Sequence, residues 1–272
     1  MIFIAPCQFG GRIKCSRENG TRTGEMEGFT ASTFGELNAA DYDQLHDPGT
    51  TAETVALISE LAGEGAILEL AIGTGRIALP LAAKGHKVSG IEGSPEMVEI
   101  MRRKPGGDAI DVAIGDIADV DIDGPFDHVF LVFNTLFNLQ TQEDQIRCFH
   151  NTAKCLAPGG TFLVETFVPD LSGFRDGQRT TTKRLDMSSV WIEAALHDPV
   201  RQLLEMQRIR ITEDGMRLVP LPMRYAWPSE IDLMARLAGM TLVHRWGGWD
   251  RRPFDPSSTM HVSVYRKAGA DE

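Results

Sequence analysis

With 272 residues, 42% of them hydrophobic and 24% charged, the chain can bury a full core, as one large domain or as a domain with an insertion. Its formal net charge of -11 opposes non-specific attraction to nucleic acid or to an anionic membrane, and favours a small-molecule partner. The four cysteines form no CxxC pair and the seven histidines no close pair suited to zinc, so no metal is expected.

Residues 1–25, rich in Gly, Arg and Thr and without periodicity, are expected to be a disordered or non-native extension, with Met26 as an alternative start. The apolar start MIFIAP has no preceding basic region and is far too short to span a bilayer. TTAETVALISELA, residues 50–62, clusters Val55, Leu57, Ile58 and Leu61 as a helix does, and AILEL, residues 66–70, reads as a buried strand. After a glycine turn, RIALPLAAKG reads as a helix closed by Gly85, and KVSGIE, residues 87–92, as the next strand. SPEMVEIMRRK has Ser94 as N-cap, Pro95 at the first helical position and basic residues at its C-terminal end.

IDVAI at 110–114 and DHVFLVF at 127–133 are further strands, and TQEDQIRCFHNTAKCL, residues 141–156, is a helix with a capping Thr141. Cys148 and Cys155 lie two turns apart on its face, which implies buried thiols rather than a disulfide and suits a reducing cytoplasm. Pro158-Gly159-Gly160 is expected to stop that helix before a fifth strand, TFLVETF. Then the pattern changes: VWIEAALHD, RQLLEMQRIRI and MRLVPLPMRYAW are three strand-like runs joined by turn residues. This stretch, 168–226, holds nine Arg or Lys against eight Asp or Glu in an otherwise acidic chain. Helical PSEIDLMARLAG, residues 228–239, and strands MTLVHRW and TMHVSVYRK follow; the last two have no helix between them and are expected to pair as an antiparallel hairpin.

Gly73-x-Gly75-x-x-Ala78 also fits the relaxed fingerprint of dinucleotide enzymes, so the turn alone does not choose a cofactor. Four stretches in order do. ELAIGTGR, GIEGSPEM, GDIAD and LAPGGTFLVE, with the antiparallel ending, make residues 42–267 resemble the class I S-adenosylmethionine-dependent methyltransferases. The resemblance implies a doubly wound α/β fold, Rossmann-like, with a seven-stranded mostly parallel sheet and a small antiparallel β insertion between strands five and six. It divides the chain into a core of 26–167 and 227–267, an insertion of 168–226 serving as lid, substrate surface or dimer surface, and a tail of 268–272. NAD is the rival cofactor.

By the same resemblance Glu69 holds the cofactor's ammonium, Gly73 and Gly75 make room for it, Glu92 binds its ribose, and Asp116 its adenine amino group. Met97 and Ile117 supply apolar walls, and Tyr42, Ala71, Arg76, Gly93 and Phe133 complete the expected cofactor contacts. The group most similar in shape is the amino-sugar N,N-dimethyltransferases of antibiotic biosynthesis, which share a tyrosine matching Tyr42. Where that group carries a histidine near the transferred methyl, FNTLFNL has Asn138, which leaves base and acceptor open. Tyr42, Asn138 and Glu165 are the catalytic candidates; Asn134 and Asn138 can orient a nucleophile, and Glu165 is a candidate base. For the acceptor, Trp249 and Arg251 read as a pocket rim, and Arg175, Arg179 and Arg224 as a clamp for the diphosphate of a nucleotide-linked sugar or, equally, as a solvated strand face. N-methylation of an amino sugar is the first expectation; an O-methyltransferase and a non-catalytic S-adenosylmethionine-binding protein are the alternatives.

Overall fold

The computed structural model describes residues 26, 28–46, 48–119 and 122–269; the expected extension 1–25, with Cys7 and Cys15, lies outside them. A segment of short helices, α1 (Thr33–Asn38) and α2 (Tyr42–Leu45), precedes α3 (Thr51–Ala62). The alternation then runs β1 (Ile67–Leu70), α4 (Ala78–Ala83), β2 (Val88–Glu92), α5 (Pro95–Arg102), β3 (Asp111–Ile114), β4 (Phe126–Leu131), α6 (Gln142–Cys155) and β5 (Leu156–Phe167). The insertion contributes β6 (Gln178–Leu185), β7 (Ser189–Asp198), β8 (Leu203–Thr212) and β9 (Gly215–Arg224), before α7 (Pro228–Leu237), β10 (Met240–Trp246) and β11 (Met260–Lys267).

Among the described residues seven strands form one sheet in the order β10-β11-β5-β4-β1-β2-β3. The strands from β1 to β5 pair in parallel, while β11 runs antiparallel to both β5 and β10. Parallel strands need both faces covered, and β1 accordingly buries every one of its residues, Glu69 included. The caps read from the sequence form as expected. Ser94 Oγ accepts from the Met97 N–H at 3.3 Å, and Thr141 Oγ1 from the Asp144 N–H at 3.1 Å.

Two expectations need correction. Pro158-Gly159-Gly160 does not separate helix from strand: β5 already starts at Leu156, paired with Phe126, and register resumes with Thr161 opposite His128. Gly159, at φ +77°, lets the strand carry this irregularity as a bulge does. The insertion also has four strands rather than three, in the order β6-β7-β8-β9. QRTTTKRL has no apolar alternation because β6 is an edge strand exposed along nearly its whole length. No described helix is long and apolar enough to cross a membrane.

The insertion sheet is fixed to the core through Arg224 at the end of β9. Its guanidinium, about 5% exposed, donates to Gln145 Oε1 of α6 and to Glu230 Oε1 of α7, each at 2.7 Å. Burial works against the Glu230 charge, but hydrogen bonds from Gln202, Arg224 and Gln142 hold its carboxyl below the usual range. Removing one partner of a buried pair strands the other. Arg224→Met should therefore lower unfolding free energy by about 3 kcal/mol in urea titration, and a loss below about 1 kcal/mol would contradict this role.

Candidate active site

At the C-terminal ends of β1, β2 and β4, where open α/β sheets bind ligands, lies a cavity of about 330 Å³. Its core-side wall comes from the expected cofactor residues Ala71, Gly73, Glu92, Gly93, Met97, Asp116, Ile117 and Phe133. Tyr42, Asn134 and Asn138 also line it.

The floor is a hydrogen-bonded turn. Glu92 Oε2 accepts from the Gly73 N–H at 2.8 Å and Oε1 from the Ser94 N–H at 2.9 Å, so the end of β2 holds the glycine turn after β1. Burial nonetheless raises the Glu92 carboxyl above its usual range. Gly73 is needed for its left-handed φ of +57°, since a Cβ there would meet no more than the Ala71 carbonyl oxygen at 4.0 Å, an ordinary contact. Gly75 does a different job from the one expected: at φ +81°, its Cβ would strike Met101 Cγ at 2.7 Å and Leu79 Cγ at 2.9 Å, so it packs the turn against α5 and α4. Arg76 also turns away from the cavity, donating to Thr51 Oγ1 at 3.0 Å and lying over the Phe133 ring at 5.3 Å.

Groups left over decide whether S-adenosylmethionine suits this floor. Glu69 Oε2 is buried without a hydrogen-bond partner among the described residues, and burial lifts its carboxyl well above the usual range against the pull of Arg76. An ammonium within reach would satisfy it. A carboxylate offers about four lone-pair sites, so Glu92 keeps capacity for ribose hydroxyls beside its backbone donors. Asp116 Oδ1 takes the Ala118 N–H at 2.8 Å and still lines the cavity. The residues fit the expected group.

Over the floor lies the segment 29–46. Phe29, Thr30, Ala31, Phe34 and Gly35 line the cavity beside Tyr42, and only Tyr42 was visible as a candidate in the sequence. The Tyr42 ring stacks on His46 at 4.8 Å and meets Phe34 edge-on at 6.2 Å; burial pushes its hydroxyl up to about 12, so it stays protonated. The segment is latched on two sides. Asp43 accepts from Thr74 Oγ1 at 2.5 Å and pairs with Lys104 Nζ at 2.5 Å, while Lys104 also donates to the Thr74 carbonyl at 2.8 Å. On the insertion side Arg217 donates to Asp41 Oδ2 at 2.7 Å and to the Leu37 carbonyl.

The acceptor side is built by the turn after β4 and by the insertion. Phe133 and Asn134 stand in succession at φ +63° and +62°, a conformation costing on the order of 1–3 kcal/mol for each non-glycine residue. Asn134 Oδ1 accepts from the Phe167 N–H at 2.6 Å, and Glu165 Oε2 from the Phe133 N–H at 2.5 Å. The turn continues as a 3-10 segment, Thr135–Asn138, and Asn138 Oδ1 is buried without a partner among the described residues. Glu165 is not on the cavity wall; burial raises its carboxyl to about 7, with the Phe133 N–H and Arg76 opposing. From the insertion come Arg208 of β8 and Leu221 and Met223 of β9. They follow the alternation that also places Leu204 and Met206 on this face, with Met206 opposite Leu221 and Leu204 opposite Met223.

The expected acceptor cations lie elsewhere. Arg224 is consumed by its buried pair, and Arg179 lies over the Phe174 ring at 4.5 Å. Arg175 sits at the tip joining to β6, its N–H donated to the Gln178 carbonyl. Arg251 pairs with Glu60 of α3 at 2.5 Å, and Trp249 is packed in the core. Arg179, Arg224 and Arg251 are held by partners that the sequence alone does not pair with them. Among the described lining residues Arg208 is the cation, so an acceptor anion meets one guanidinium rather than a cluster. His261 is buried and bonded to Thr166 and Ser263, and burial holds its pKa down at about 3.

Known proteins are similar to this chain. Residues 67–160 match the family model described as a methyltransferase domain. The structure of the CcbJ methyltransferase from Streptomyces caelestis is 38% identical, with a TM-score of 0.83 over 89% of this chain and 100% of that one. The cypemycin N-terminal methyltransferase of a Streptomyces species is 26% identical over 204 residues, 74% of this chain and 82% of the relative. A dTDP-4-amino-2,3,4,6-tetradeoxy-D-glucose N,N-dimethyltransferase of Saccharopolyspora spinosa is 33% identical over 159 residues, 54% of this chain and 63% of the relative. The glycine turn bound to Glu92, the orphaned Glu69 oxygen and these similarities lead to one conclusion: the chain belongs to the S-adenosylmethionine-dependent methyltransferases.

Proposed function

We propose that the chain methylates an amine nitrogen of a small molecule, an amino sugar first, in the cytoplasm. The observation that carries this reading is Asn138, whose buried Oδ1 has no hydrogen-bond partner among the described residues beside the cavity. When bound, S-adenosylmethionine supplies a methyl group on a sulfonium whose departure as a neutral thioether needs no acid. The chain's own residues then have two tasks, alignment and exclusion of water. The Asn138 oxygen accepts an amine N–H and so turns the nitrogen lone pair toward the methyl side, but an amide cannot take up a proton. A neutral amine needs no more than that, whereas an alcohol or phenol needs a base. Tyr42, protonated and stacked, and the apolar Leu221 and Met223 keep water out. Two relatives whose names specify methylation at an amine support the same nitrogen chemistry. Cys148 and Cys155, both buried thiols, support a reducing compartment.

Mass spectrometry after incubation with methyl-labelled cofactor tests the reading against free and nucleotide-linked amino sugars, peptide N-terminal amines and phenols. Label on nitrogen is expected. Label on oxygen alone would replace the amine with the O-methyl alternative, and cofactor binding without turnover on any acceptor would favour a binding protein. On the productive amine, Asn138→Ala should lower kcat about 10-fold, as loss of one buried hydrogen bond does. Glu92→Ala should weaken S-adenosylhomocysteine binding roughly 10- to 100-fold by calorimetry, the range for hydrogen bonds to a charged group. Unchanged affinity would remove the ribose role.

A further inference from the structure

We propose that Glu165 is a positioning residue whose carboxylate holds the turn after β4 in the shape that presents Asn134 and Asn138 to the acceptor. This rests on the acceptor side as read above. Phenylalanine is a poor occupant of the left-handed region, because its Cβ crowds the backbone carbonyl; asparagine tolerates it better. Yet Phe133 and Asn134 adopt it in succession, and the local sequence FNTL contains no glycine to relieve them. What holds them comes from elsewhere in the chain. Glu165 and Phe167, two residues apart on β5, take one residue each: Glu165 Oε2 accepts the Phe133 N–H, and the Phe167 N–H donates to Asn134 Oδ1. Arg76, in the loop before α4, also lies over the Phe133 ring.

The geometry separates this role from that of a base. Glu165 is buried and does not line the cavity, and one of its oxygens is engaged by the backbone it supports. Its effect reaches the acceptor through the turn, which carries the Asn134 and Asn138 amides at its two ends.

Substitution separates the two roles because glutamine can still accept the Phe133 N–H through its carbonyl but cannot titrate. With the full chain saturated in S-adenosylhomocysteine, Glu165→Leu should speed hydrogen exchange in the peptide covering 132–139 about 10-fold or more. Exchange elsewhere should stay near wild type. Glu165→Gln should keep the turn protected. This readout needs no acceptor, so it stands or falls apart from the amine reading. On a productive amine at saturating cofactor, Glu165→Leu should lower kcat, and Glu165→Gln should restore it. Unchanged exchange in Glu165→Leu would overturn the proposal. So would a glutamine variant with a protected turn but no activity, which would mark Glu165 as a proton acceptor. If Glu165→Leu fails to bind S-adenosylhomocysteine, Glu165→Ala is read the same way. Failure of both to bind would make Glu165 a requirement of the fold, and the proposal would fall.

Discussion

The acceptor side depends on the carboxamide of Gln145. Fully buried on α6, it donates to the carbonyls of Leu136, Leu139 and Arg224 and accepts from the Arg224 guanidinium. One side chain thereby fixes the turn after β4 and the last strand of the insertion to the same helix. The Leu136 carbonyl also accepts the Leu139 N–H and the Arg224 guanidinium also meets Glu230, so Gln145 adds a shared anchor to groups that are already bonded locally. A leucine in that position would lose the link between the turn and β9 and leave the insertion held to the helices by the Arg224–Glu230 pair. The distance between Asn138 and the Leu221–Met223 roof is set here, and with it the size of acceptor that the cavity admits.

The two halves of the cavity are made differently. The cofactor side is backbone held by carboxylates: Glu92 gathers the turn after β1, Asp116 closes its own loop, and the sheet supplies the framework. Little in it can vary without losing the turn. The acceptor side is made of side chains on the insertion, on the segment before α3 and on a strained turn, each fixed by a bond to a distant part of the chain. Such a wall can change shape through single substitutions while the floor stays constant, in keeping with sites grafted on a shared fold.

That division also explains what the sequence disclosed. The strands from β1 to β5, the Ser94 and Thr141 caps, the glycine turn and the closing hairpin rest on local patterns and are readable over ten residues or fewer. Gly75 was visible as a glycine, but its reason, contact with Met101 and Leu79, is tertiary. Arg224 and Arg208 look alike in sequence, both charges in strand-like runs. The first ends β9 facing Gln145 and Glu230, and the second overhangs the cavity, a difference fixed by how sheet and core meet. Phe29 to Gly35 gave no signal because α1 and α2 are too short for periodicity to show. QRTTTKRL gave none because an exposed edge strand has no buried face to mark.

Thr74 stands between the two glycines of the cofactor turn, and its hydroxyl and carbonyl are both engaged by the Asp43–Lys104 latch. The overlying segment therefore grips the cofactor-binding turn itself rather than the rim of the cavity. The ion pair therefore couples the overlying segment to the turn that Glu92 holds, through a contact that lies outside the cavity lining. Because the pair is part exposed, with its side chains 29% and 44% accessible, it is open to screening by salt. Ionic strength then bears on how firmly the segment is held over the cavity without acting on the cavity lining itself.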